Sequence, residues 1–399
     1  MACARLSRFR HRSGFTIARV FAIPALSAAF CLWVQAGLNE AHRQRIAVER
    51  LTEVGGRVEY EKLLEDAASP STWRVVTPWW NSRRWLCAVT RDPQFQAVVS
   101  VNFDNPTELD DADWEYYLRS FSAAREVDAR GSNISDAQLR FLSAMPNVES
   151  LWLDYTRITG EGFRNLQRLR NLESLSLQGV ELSYRGKREL GKLVTLCRLI
   201  MDGDDGAVAA LTLLEKLKQL SLTGPRITDA GMVDVAKIRS LHTLDLAGSN
   251  VSDEGLRHLH RLDSLWWLSL DRTRVSDRGL KYLQAMPHLT WLSLAGTRVS
   301  DEGLKDLAQL QNLRVLWLAK TAVTDNGVPH LARLRNVVDL DLSGTAVTDR
   351  GLLYLASLKH LEIVRLNDTR VTEAGATRLR AVLPRVTVWN PTVPDSDAP

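Results

Sequence analysis

Residues 289–310 read LTWLSLAGTRVSDEGLKDLAQL, and the same 24-residue phrase recurs up and down the chain. Leu217, Leu241, Leu265, Leu289, Leu313, Val337 and Leu361 open seven successive copies in register. Leu289, Leu292 and Leu294 fit a short extended segment in which alternate side chains share a face, so Leu292 and Leu294 point inward while Trp291, Ser293 and Ala295 point outward. Ser300 and Asp301 have the chemistry of a helix start, since a hydroxyl or carboxylate there accepts bonds from unpaired first-turn amides. Leu304, Leu307 and Leu310 follow as one apolar stripe of a short helix. A single copy cannot bury its leucines, so copies must stack, strand beside strand, into a solenoid with a continuous core.

The step continues backwards through Leu172 and Val148 to an earlier copy sketched by Val127, Ile134, Asp136, Leu139 and Leu142. Ala124 to Pro384 divides into eleven copies. The copy from Leu196 to Lys216 is only 21 residues long and carries Asp202, Asp204 and Asp205 where the others turn. An EF-hand would need a glutamate where Leu213 stands, so this run is expected to be a shortened solvated loop. Val99 to Tyr117 resembles a degenerate capping copy, with Val99, Val101 and Phe103 alternating and Asp111, Trp114 and Tyr117 at helix positions. Val386 to Trp389 is expected to pair as a last strand. A 20–29-residue period with this leucine spacing defines a leucine-rich repeat. The predicted fold class is therefore α/β: a horseshoe-shaped leucine-rich repeat solenoid over residues 98–390, with parallel strands on the concave face and short helices on the convex face.

The T-x-[IV]-[ST]-D-x-G-L string resembles the repeats of bacterial envelope-associated leucine-rich repeat proteins and, more distantly, the cysteine-containing repeats of F-box/leucine-rich-repeat proteins. Arg43-Gln44-Arg45-Ile46-Ala47-Val48 and Gly55-Gly56-Arg57-Val58-Glu59-Tyr60 look like the juxtamembrane segment of the bacterial group. Thr273, Thr297, Thr321, Thr345 and Thr369 stand where the F-box group carries cysteine. A threonine hydroxyl can still bond the backbone of a neighbouring turn, so a structural ladder is expected there. No F-box precedes the repeats.

Residues 1–19 carry Arg5, Arg8, Arg10, Arg12 and Arg19 without an acid, and a mostly apolar run follows. Residues 20–38 approach the roughly 20 needed to span a bilayer. They are expected to form a transmembrane signal-anchor, or alternatively a secretory signal cleaved near Val34-Gln35-Ala36. Either reading places the basic end in the cytoplasm and the repeats on the outer, periplasmic side, membrane-tethered or secreted. Residues 39–97 are assigned to a juxtamembrane and capping region, with Trp73, Trp79, Trp80 and Trp85 interleaved with Arg74, Arg83 and Arg84 as a cover for the first coil or a membrane-interface contact. Residues 391–399 are expected to be a disordered tail. The first fifty residues hold eight arginines against Glu40 and Glu49, or +6, so of the net charge of +4 the remainder carries −2. The solenoid has no basic excess that would suggest nucleic-acid binding. Cys3 and Cys31 lie in the leader; Cys87 and Cys197 are the remaining candidates for a disulfide.

Signatures of a nucleophile elbow, phosphate loop, zinc helix or C-x-x-C pair do not occur. His258 and His260 diverge on a helix and are expected to be surface residues. The Asp series at 229, 253, 277, 301, 325 and 349 coincides with helix starts and predicts a capping ladder. No enzyme activity, cofactor or metal is expected. The free positions are the outward strand places: Trp267 and Ser269, Trp291 and Ser293, Val315 and Trp317, Asp339 and Asp341, Ile363 and Arg365. Trp267, Trp291 and Trp317 should form one cluster about 10 Å long. Each ring would bury up to roughly 150–250 Å², or about 4–6 kcal/mol as an upper limit before ordering costs. Asp271, Arg272, Lys320, Asp341 and Arg365 would supply a charged rim. Aromatic anchors within a polar rim suit a protein partner; indole faces also stack on sugars, making carbohydrate the alternative ligand. The expected function is a non-enzymatic, membrane-anchored interaction module. The alternatives are an envelope scaffold without a ligand and an accessory subunit of an envelope enzyme.

Overall fold

A computed structural model describes residues 18–60, 98–103 and 109–389. The strands are β1 (Arg57–Tyr60), β2 (Val98–Asn102), β3 (Glu126–Asp128), β4 (Ser150–Trp152), β5 (Ser174–Leu177), β6 (Arg198–Asp202) and β7 (Gln219–Thr223). They continue as β8 (Thr243–Asp245), β9 (Trp267–Ser269), β10 (Trp291–Ser293), β11 (Val315–Trp317), β12 (Asp339–Asp341), β13 (Ile363–Arg365) and β14 (Thr387–Trp389). They form one sheet in chain order. All neighbours are parallel except β1, which runs antiparallel to β2. In-register pairing places Leu268, Leu292 and Leu316 side by side, and all three are fully buried. Short α and 3₁₀ helices return each copy on the opposite side, with Leu304 and Leu307 buried as the apolar stripe requires.

The carboxylates at the helix starts act differently from the expectation. Thr228, Ser252, Ser276 and Thr348 occupy the N-cap positions, with the aspartate one place later. Each carboxylate instead reaches into the following copy. Asp229 Oδ1 accepts from Ser252 N at 2.7 Å and Oδ2 from Ser252 Oγ at 2.6 Å, and Asp253, Asp277, Asp301, Asp325 and Asp349 repeat the pattern on Ser276, Ser300, Thr324, Thr348 and Thr372. The glycine of the D-x-G motif makes room for this bond. A Cβ on Gly255 would stand 2.5 Å from Asp229 Oδ1, and one on Gly351 2.5 Å from Asp325 Oδ1.

The threonines also differ in detail. Thr273, Thr297, Thr321 and Thr345 are buried, and each hydroxyl donates to the carbonyl three residues earlier in its own copy, closing the turn after the strand rather than tying neighbours together. Nor is the acidic run in the short copy a loop. Asp202 ends β6 and accepts from Thr223 Oγ1 at 2.6 Å. Asp204 caps the helix Asp205–Leu211 and pairs with Lys187 at 2.6 Å, and Asp205 bonds Thr228 as another member of the inter-copy series. The missing residues are those of the turn, so strand passes almost directly into helix.

At the amino end, the helix Ala18–Glu53 packs Ala47 and Leu51 into the same core as the repeats. Val98, Val101 and Phe103 are buried while Val99 is half-buried, so β2 is shifted by one residue from the expected inward set at its start. The helix Asp111–Ser120, started by a reciprocal capping box between Asp110 and Asp113, buries Trp114 and Tyr117 against Phe103. Among the described residues no helix is long and apolar enough to cross a membrane. Most side chains of the expected anchor at 20–38 lie outside the described residues, as do the tryptophan-rich stretch, Cys87 and the tail from 391. Cys197 is a free thiol directed at Thr195 O, 3.7 Å away.

Candidate interaction surface

The concave sheet brings the three expected tryptophans into contact. Trp267 pairs across the strands with Trp291, and their rings stack with centroids 4.2 Å apart and planes 13° from parallel. Trp291 is opposite Val315, whereas Trp317 is opposite Ser293, two places further along. This diagonal offset explains why Trp317 meets Trp291 edge to face, at 4.8 Å and 69°. Ser269 and Ser293 lie in the row beneath and are buried.

Trp317 is held from its other side. Arg365 lies over its ring, 5.4 Å from the centroid, and forms a two-pronged ion pair with Asp339. The Trp317 indole N–H points to the same Asp339 carboxylate at 3.4 Å. Both charges are largely shielded by their neighbours, so this pair is less screened than one on open surface. The expected rim residues do not all converge. Asp271 accepts from Ser293 Oγ and from Ala295 N, and is thereby occupied in joining copies. Asp341 accepts from Ser343 N at 2.8 Å. Arg272 and Lys320 stand on the turns that follow β9 and β11, both exposed and both with left-handed backbone at φ 55°.

The rings are half-buried rather than open. Trp267 and Trp291 cover each other's facing surfaces, so the expected upper limit per ring overstates what a ligand can bury. The same stacking covers one flat face each of Trp267 and Trp291, leaving less indole face on which a sugar would lie. The sequence alternation located the cluster but not the Asp339–Arg365 support, whose only signal was opposite charge at diagonal outward positions of adjacent copies.

Concavities elsewhere have linings of mixed polarity. A groove of about 620 Å³ runs along the edge where the strands begin, lined by residues including His288, Asn312, Arg314, His360 and Glu362. Asn312 and Asn336 donate there to Pro287 O and Gln311 O, again joining copies. Trp152, on β4, lines a separate depression with Arg57, Asp128 and Arg130. His258 is half-buried and His260 exposed, with His260 Nδ1 2.7 Å from Arg257 O. Among the described residues no group of His, Cys, Asp and Glu is arranged to hold a metal ion.

A family model described as Leucine Rich repeat matches residues 237–263, 285–308 and 333–356. Among solved structures, an internalin from Listeria monocytogenes is similar at 17% identity and a TM-score of 0.51, covering 77% of this chain and 93% of that one. A leucine-rich repeat protein of Leptospira interrogans gives 17% identity and a TM-score of 0.44, with 72% and 82% covered. No curated protein matches the chain. The internalin likeness concerns the fold alone; with the stacked strand-and-helix copies, the leucine core and the matched repeats, it shows that the chain folds as a leucine-rich repeat solenoid.

Proposed function

We propose that this chain is a non-enzymatic interaction module that binds a protein partner on the concave face, with Trp267, Trp291 and Trp317 as the contact centre. The observation that carries this reading is a contiguous aromatic array on the concave sheet, half-exposed and fixed in place by Arg365 and Asp339. Leucine-rich repeat domains generally use such surfaces for protein–protein contact. A pre-ordered array loses less side-chain entropy on binding than free rings would. We further propose that residues 20–38 anchor the chain in a membrane, with the repeats on the outer side. In support, one helix runs continuously from that segment to Leu51 in the solenoid core.

The mutual stacking of Trp267 and Trp291 favours a second reading, in which the rings shield the sheet and the solenoid serves only as a scaffold. A pull-down from envelope extract separates the two. The parent chain is compared with a Trp267→Ala, Trp291→Ala, Trp317→Ala variant of matched circular dichroism. A partner held by the parent and lost by the variant supports the contact centre; identical catches refute it and leave the scaffold.

A further inference from the structure

The repeats that carry the tryptophans also carry an unpaired basic flank. Arg272, Arg274, Arg298 and Lys320 are all exposed on the turns that follow β9, β10 and β11. Among the described residues none has a side-chain ion pair or hydrogen bond, while the acids of the same copies are engaged. Asp271 is held by Ser293 and Ala295, Asp277 by Ser300, Asp301 by Thr324, and Glu302 by Lys305. The free charge on these turns is therefore positive, although the solenoid as a whole has no basic excess and Asp341, opposite Trp317 on the next strand, carries no ion pair among the described residues.

Backbone geometry sets two of these cations apart. The turn after each strand alternates along the chain: Gly248, Arg272, Gly296, Lys320, Gly344 and then the acidic Asp368, with every one at φ between 55° and 72°. Glycine suits this left-handed conformation without cost, whereas another residue forfeits about 1–2 kcal/mol. Arg272 and Lys320 occupy the strained place in every second copy, about 10 Å apart by two strand spacings. Their aliphatic stems lie over the next glycine, since a Cβ on Gly296 would meet Arg272 Cγ at 3.2 Å and one on Gly344 would meet Lys320 Cγ at 2.9 Å. Strained positions of this kind concentrate where they serve a ligand.

Resting on the concave-face reading above, we infer that the partner presents an acidic, Asp/Glu-rich extended segment to Arg272, Arg274, Arg298 and Lys320. The aromatic array agrees with this choice. The two indole faces that meet in the stack are hidden, and ring edges, which stay accessible, carry the positive end of the quadrupole. Trp267 and Trp291 have indole N–H groups with no acceptor among the described residues, so both can donate to carboxylates. An acidic strand thus meets donors at the array and cations at the flank, within about 16 Å of chain from Trp267 to Arg272.

The test uses the full chain and three probes: a hexaglutamate peptide, a hexalysine peptide and polygalacturonate, titrated by tryptophan fluorescence at low and high salt. The variant is Arg272→Gly, Arg274→Ala, Arg298→Ala, Lys320→Gly. Glycine and alanine stand at these places in neighbouring copies, so the fold is retained. Salt-sensitive binding of hexaglutamate, weakened about tenfold or more by the variant, is expected, because four modest exposed-charge contributions sum to that factor. Equal binding by parent and variant, preference for hexalysine, or binding of polygalacturonate alone overturns the inference; the last outcome assigns the flank to a polysaccharide. Repeating the extract pull-down with this variant separates the two readings. A partner lost with the tryptophan variant but kept with the charge variant leaves the concave contact standing and removes the acidic segment.

Discussion

Replacing Gly351 with alanine should destabilise the protein only while Asp325 is present. Asp325 Oδ1 accepts from Thr348 N at 2.8 Å and from Gly351 N at 3.1 Å, and Oδ2 accepts from Thr348 Oγ1 at 2.6 Å. A Cβ on Gly351 would stand 2.5 Å from that Oδ1, while the next atoms, Val347 Cγ1 and Val328 Cγ2, are at 3.0 and 3.2 Å. Gly351→Ala alone must displace the carboxylate and is expected to cost about 1–3 kcal/mol, the range for overpacking. Asp325→Ala removes bonds to a charged acceptor, each worth roughly 1.5–3 kcal/mol. Gly351 N also donates to Thr348 O at 3.0 Å, so two bonds are lost outright. Partial solvent access then sets the net loss at about 2–4 kcal/mol. With the carboxylate gone, alanine gains the roughly 0.5–1 kcal/mol by which it exceeds glycine in a helix, and Gly351 lies within the helix Asp349–Leu355. The double variant should therefore be more stable than the sum of the singles predicts, by about 1–3 kcal/mol. Urea unfolding of the four proteins, with amide exchange at Thr348 as a local probe, completes the cycle. Additivity within about 0.5 kcal/mol would refute the account of D-x-G as a carboxylate and the space made for it.

The remaining expectations are more local. Gly344→Ala should cost about 1–2 kcal/mol, because φ is 67° there and Lys320 Cγ closes the space; an unchanged melting temperature would count against it. Leu292→Ala, in the middle of the core, should cost about 2–5 kcal/mol by calorimetry, and a smaller loss would mean the copies collapse around the gap. Trp291→Ala should abolish the exciton couplet of the Trp267–Trp291 stack in circular dichroism, whereas Arg365→Ala should leave it and alter only Trp317 emission. Burial pulls the Asp349 carboxyl upward, but bonds from Thr372 and the Arg378 guanidinium hold it below the usual carboxylate range. Its folded pKa is thus lower than its unfolded one, near about 3.9. The unfolded state then binds more protons, so the contribution is present above that value and is lost as pH falls through the folded pKa. Asp349→Asn should flatten this part of the acid limb of stability against pH; an unchanged limb would show that Asp349 does not supply it.

Periodicity carried the fold because stacking copies is the one way to bury Leu292, Leu294 and Leu304 at once, and parallel strands with returning helices follow directly. Alternation along three-residue strands likewise placed Trp267, Trp291 and Trp317 on one face. What a repeat pattern cannot state is which copy a side chain bonds. The aspartates looked like caps of their own helices, yet the geometry sends each carboxylate 23 residues onward. The threonines looked like links between copies, yet each closes its own turn. Both errors have one cause: at a strict 24-residue period, a partner in the same copy and its equivalent in the next are identical in sequence and differ only in space. Capping by the helix Ala18–Glu53 and antiparallel β1 had no periodic signal at all.

The sequence by itself determined the copy, the direction of its leucines and which strand positions face outward, because those depend on spacing along one chain. Tertiary structure alone decided the stack of Trp267 on Trp291, the Arg365–Asp339 brace and the unpaired flank from Arg272 to Lys320. Each of these depends on distances between copies, and on whether neighbouring groups satisfy one another before any ligand arrives.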